Sequence, residues 1–173
     1  MKLLPQKKPN NRGFTLIEVI VVVVIISIVA AVSVPGISSL LNSNVTKAAS
    51  KLNSVCMRTR TITMSSAEGS IFLKIYMKDE NYYAEIFKFE AGNRNRDKDY
   101  QTVDEPVFLG NNSLSLYELG GGKITDANPF YVQFEKGSGA FKSKSRGIKM
   151  SGSGRDIKLY FVQDTGRTYM ESS

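Results

Sequence analysis

The sequence has no histidine, no tryptophan and a single cysteine among its 173 residues. Without histidine, the commonest general base and the commonest zinc ligand are both missing. One thiol, Cys56, excludes an intrachain disulfide, so an exported domain must hold itself together by packing, bound ions or neighbours. Cys56 falls on the apolar face of an expected helix and reads as a small buried hydrophobe rather than a reactive group. Asp and Glu are strewn through charged loops, and no nucleophile paired with a base emerges. Those absences point away from an enzyme, and no cofactor is implied.

Acidic residues are also missing from residues 1–13, which carry Lys2, Lys7, Lys8 and Arg12. The net charge of +7 is therefore concentrated at the start; without that segment 19 basic residues stand against 16 acidic ones, or +3. A basic pI of this origin is no argument for nucleic acid. The length leaves room for one domain with a modest core.

What is present is a run of aliphatic residues. Arg12-Gly13-Phe14-Thr15-Leu16-Ile17-Glu18 opens it, and after Glu18 the next charge is Lys47. Residues 14–34 are broken only by Thr15, Glu18, Ser27 and Ser33 among polar types, and as a helix would cover roughly 30 Å, enough to cross a bilayer. Basic residues before the run and none just after it predict a single pass with a cytoplasmic N-terminus and an extracytoplasmic remainder. A lone carboxylate in the first turns of such a helix is costly, so Glu18 is expected to have a purpose. An ordinary signal peptide, with Ala30-Ala31-Val32-Ser33 as its cleavage site, or an uncleaved anchor would leave Glu18 unexplained. Pro35, followed by Gly36, predicts a kink at the end of the span.

Gly13-Phe14-Thr15-Leu16-Ile17-Glu18-Val19 resembles the cleavage and methylation motif of type IV pilins and of the pseudopilins of type II secretion and competence systems. The resemblance implies that a prepilin peptidase cuts between Gly13 and Phe14 and methylates the new Phe14 amine, removing a leader over residues 1–13. It implies assembly with other pilin or pseudopilin subunits through the N-terminal helix, with membrane lipid as the surrounding before assembly. The Phe14 amine and Glu18 carboxylate, both in low dielectric, would neutralise each other within or between subunits. Such a pair works as a register device, because breaking it strands a buried charge.

Beyond Pro35, the residues Ile37, Leu41, Val45, Ala48, Leu52, Val55 and Ile62 recur at steps of three and four, with Thr59 filling the gap. That spacing predicts an amphipathic helix over residues 35–67, covered by the protein's own sheet or paired in a coiled coil, and stopped by Ser65-Ser66-Ala67-Glu68-Gly69. Residues 68–173 read as a β-rich domain. Strands are expected over 71–77 and 82–89 around a turn at Lys78-Asp79-Glu80-Asn81, then near 107–109, 113–118, 130–135, 147–150, 157–163 and 168–170. Residues 92–105 are dense in charge and read as a surface loop. The fold class is thus α+β, a long N-terminal helix with a membrane half and an amphipathic half, packed on an antiparallel sheet. With Phe134 near Gly137 and a late Thr165-Gly166-Arg167, this layout is most similar to the minor pseudopilin H and minor pilin T group.

Two further readings concern the β-rich part. Residues 136–167 carry eight basic and two acidic side chains. Lys142, Lys144, Arg146, Lys149, Arg155, Lys158 and Arg167 could line a patch for DNA, or simply be a solvated face. The resemblance would place a second arginine after Gly166-Arg167 in DNA-binding minor pilins, and here Thr168-Tyr169 follows instead. Asp97, Asp99, Asp104 and Glu105 do not have the spacing of a defined calcium loop, so no metal site is expected. The remaining alternatives are a major pilin or a DNA-binding tip subunit.

Overall fold

The computed structural model describes residues 15–67, 70–89 and 100–172, and within them the side chains of all but residues 31–43. Among the described residues one helix and nine strands follow in order: α1 (Leu16–Ser65), β1 (Ser70–Lys78), β2 (Asn81–Phe89), β3 (Tyr100–Thr102), β4 (Val107–Asn111), β5 (Ser115–Glu118), β6 (Phe130–Gln133), β7 (Gly147–Gly152), β8 (Arg155–Val162) and β9 (Arg167–Ser172). The chain divides into two compact units, Met1–Ile37 and Ser38–Ser173.

In the first unit, every large apolar side chain from Leu16 to Val29 is at least half exposed. The expected membrane half over residues 14–34 is corrected here: among the described residues no helix is long and apolar enough to cross a membrane. Beyond residue 43 the described side chains of α1 include Asn44, Lys47 and Lys51, which are exposed. The single-pass topology and the localisation drawn from it fall with the span. The long helix itself is present, and it carries Pro35 within its bounds; the side chain and any kink there lie outside what is described.

The second unit owes its core to three converging faces. From α1 come Val45, Ala48, Ala49, Leu52, Val55 and Cys56, all buried at helical spacing. Thr59 and Thr63 continue the same stripe, and each donates its hydroxyl to the carbonyl four residues earlier, Val55 and Thr59, at 2.7 and 2.8 Å. A threonine can therefore occupy the apolar stripe without an orphaned hydroxyl. From Val45 onward the stripe is covered by the protein's own strands, while the side chains of Ile37 and Leu41 lie outside those described; full burial of a side chain such as Leu52 is worth about 2 kcal/mol.

The strands form two antiparallel sheets rather than one. The first has the order β3-β2-β1-β6, with β4 also pairing β2; the second runs β5-β7-β8-β9. Their inner faces supply Leu73, Ile75, Ala84 and Ile86 on one side and Leu116, Ile148, Met150 and Leu159 on the other. The β1–β2 turn places Asp79 and Glu80 at φ 48° and 60°, the mirror-image geometry that matches strand twist. Ser153 and Gly154, at 51° and 79°, do the same between β7 and β8. The loop expected over residues 92–105 needs correction, since β3 pairs Phe87–Phe89 of β2 within it.

Cys56 is fully buried, and burial alone pushes its thiol up from an ordinary 9 to about 12. Only the thiolate is an effective nucleophile. At pH 8 the folded protein is therefore expected to resist iodoacetamide for hours and to react fully in denaturant, as intact mass would record; rapid native labelling would contradict this burial.

Candidate functional sites

At the start of α1, Thr15 and Glu18 are joined reciprocally. The Thr15 amide donates to Glu18 Oε2 at 3.3 Å, the Glu18 amide donates to Thr15 Oγ1 at 3.4 Å, and the Thr15 hydroxyl donates to the same carboxylate oxygen at 3.4 Å. This is a capping box, in which a threonine and a glutamate three residues on satisfy donors that the first helical turn leaves unpaired. The carboxylate also sits where the helix dipole favours negative charge. Sequence reasoning assigned Glu18 to a charge pair and passed over this role, although Thr-x-x-Glu before an apolar run is its signature. Gly13 and Phe14, the expected cleavage and methylation positions, lie outside the described residues.

The seven basic residues do not form one patch. Strand alternation puts Lys149 and Lys158 opposite each other on the outer face of the second sheet. Lys144 and Arg146 line a cleft of about 510 Å³ beside Tyr160. Arg167 shares the outer face at the far end of β9, whereas Arg155 is three residues from Lys158 and so belongs to the other face. Lys142 lies off the sheet, its amide bonded to the Gln133 carbonyl. Acidic neighbours compensate the cations that do meet. Asp156 pairs with Lys149 at 2.7 Å, and that contact holds its carboxyl below the usual range. Glu171 lies opposite Lys158 and holds the Tyr160 hydroxyl, raising its pKa.

Of the acidic residues weighed for calcium, Asp97 and Asp99 lie outside the described residues. Asp104 instead takes the Arg58 guanidinium at 3.0 Å. That pair spans the rim of an apolar groove of about 670 Å³ between α1 and β2, floored by Val55, Ala84, Ile86 and Val107. Glu105 also lines it. Among the described residues no three of Asp, Glu and Cys gather as a metal site would require.

Residues 8–34 match the family described as the prokaryotic N-terminal methylation motif. The chain carries that motif. The methylation motif is typical of type IV pilin-like and pseudopilin-like proteins, which a prepilin peptidase processes and which assemble with like subunits. The motif is consistent with a structural subunit. No curated protein and no solved structure matches the chain. The motif covers Gly13, Phe14, Glu18 and the capping box, and stops short of the two-sheet unit, so it identifies processing and leaves the β-rich part to its own geometry.

Proposed function

We propose that this protein is a minor pilin or pseudopilin, cut between Gly13 and Phe14 by a prepilin peptidase, methylated on Phe14 and built into a filament through the first turns of α1. The methylation motif over residues 8–34 is the observation that carries the reading. The exposed aliphatic surface from Leu16 to Val29 supports it, because an apolar surface of that extent needs a partner, and like subunits supply one.

We further place the chain near the H and T group on the pattern of Phe134, Gly137 and Thr165-Gly166-Arg167. The turn between Phe134 and Phe141, closed by the Gly139 amide on the Glu135 carbonyl, meets the turn before Arg167. Gly166 packs against Gly139, whose carbonyl accepts from Arg60 Nε at 3.0 Å. The turn that holds Gly137 thus meets the turn that holds Gly166. A role as major pilin would instead require this chain to dominate purified filaments. DNA uptake has less behind it, given the paired acidic residues on the basic face.

The test is co-expression with a prepilin peptidase and intact mass. Wild type is expected to lose residues 1–13 and gain one methyl group on the Phe14 amine. Gly13→Leu should keep the mass of the full chain, because a branched side chain replaces the small residue at the scissile bond. An unprocessed wild type, or a variant cut as efficiently, would overturn the reading.

A further inference from the structure

β9 ends the second sheet, and among the described residues no strand pairs with its far edge. The Phe161 amide of β8 points to β7, where it meets the Arg146 carbonyl. By alternation Lys158, Tyr160 and Val162 turn their backbone groups toward β9, and their partners Glu171, Tyr169 and Arg167 turn theirs back. The amides and carbonyls of Thr168 and Met170 therefore face the open edge. Tyr169 and Met170, on opposite faces of β9, are 54% and 47% exposed, so apolar surface flanks that edge on both sides. An open edge of this kind is a template for another strand.

The order of side chains selects the partner. Arg167-Thr168-Tyr169-Met170-Glu171 has opposite charges equidistant from Tyr169. We propose that β9 pairs antiparallel with β9 of a second copy of this chain, about a two-fold axis at Tyr169, joining two four-stranded sheets into one of eight. That register sets Arg167 of each copy against Glu171 of the other, on the same face, and so satisfies charge twice with one sequence. Thr168 and Met170 exchange four backbone hydrogen bonds across the joint, and Tyr169 meets its equivalent in the closely spaced pair. Tyr169 already stacks on Tyr160 at 4.8 Å and 15°, so four tyrosine rings form one row across the axis. A one-residue slip would set Arg167 beside Met170 and break both charge pairs. The interface is independent of the processing and of the filament contacts assigned to α1.

The experiment uses the full-length chain in a mild detergent that covers residues 16–29. Tyr169→Cys places two thiols across a close pair, within disulfide reach at about 4.5 Å between Cα atoms. A disulfide-linked dimer is expected on mild oxidation, whereas Thr168→Cys, facing Met170 of the other copy, should remain mainly uncrosslinked. Arg167→Glu and Glu171→Arg each set like charges together and should abolish crosslinking through Tyr169→Cys. Mixing the two charge variants, each also carrying Tyr169→Cys, restores both pairs and should restore a mixed dimer. Far-UV circular dichroism of each variant checks that it is folded. Equal crosslinking at positions 168 and 169, no crosslinking at either in folded protein, or failure of the mixed pair to recover would overturn the proposal.

Discussion

Gly166→Ala is expected to lower the stability of the two-sheet unit by about 3–5 kcal/mol, the range of a severe backbone clash. Gly166 has φ +62°, and a Cβ added there lies far inside van der Waals contact of the Gly139 carbonyl oxygen, with Arg60 Nε at 2.9 Å. Neither obstacle is the free end of a flexible side chain. The carbonyl belongs to a turn held by the Gly139 amide on Glu135, and the guanidinium is occupied by that same carbonyl. Relief requires parting two turns and a helix. Gly154→Ala is the matched control: its φ is +79°, but nothing lies within 4 Å of the added carbon. It should cost only the ~1–2 kcal/mol of the left-handed conformation. Urea unfolding followed by circular dichroism gives both numbers, and similar midpoints for the two variants would show that the contact of the turns contributes little.

Glu18→Gln should retain the helix cap and lose filament assembly. Glutamine at the third helical position can still reach back to the Thr15 amide, as a capping box allows, so the first turn of α1 keeps its hydrogen bond. It cannot neutralise the Phe14 amine that the proposed processing would create, and that charge would then be left without a partner between subunits. Glu18→Leu removes both contributions, at an added cost of about 1 kcal/mol in helix capping. Processing at Gly13 should continue in both variants, which separates cutting from polymerisation. The yield of sheared filaments, set against intact mass, measures the two. Normal filaments from Glu18→Gln would mean that the cap, and not the charge, is what assembly requires.

Both predictions draw on features that the sequence revealed unevenly. β1 and β2 were legible almost to the residue, because Ile71, Leu73 and Ile75 alternate with Phe72, Lys74 and Tyr76 and the intervening Asp79-Glu80 forms a two-residue turn. Over its described side chains the buried stripe of α1 was also legible, from Val45 to Val55 and including Thr59. β3 was not: Tyr100-Gln101-Thr102 has no buried face of its own, and it is a strand only because Phe87–Phe89 offers an open edge. Division into two sheets could not be read either, since which strand β6 or β5 pairs with depends on partners far away in sequence. The distribution of the basic residues was not legible from their nearness in sequence. A period of two sends Arg155 and Lys158 to opposite faces, and neither Asp156 nor Glu171 was weighed as a counter-charge. The described apolar stretch at the start of α1 was read as part of a span, whereas among the described residues no helix is long and apolar enough to cross a membrane.

The hydroxyl of Thr168 reaches Asn53 of α1, a hydrogen bond between residues 115 positions apart. Together with the Gly166 contact to Arg60, it makes the last strand a closing element against the helix that comes first in the chain. Folding of the two-sheet unit must therefore wait for nearly the whole polypeptide to leave the ribosome, and the stripe from Val45 to Thr63 has no complete cover until then. Chains dominated by such distant pairings fold slowly. The interval between synthesis and closure is when this subunit most needs a chaperone, and truncation before Arg167 would prolong it indefinitely.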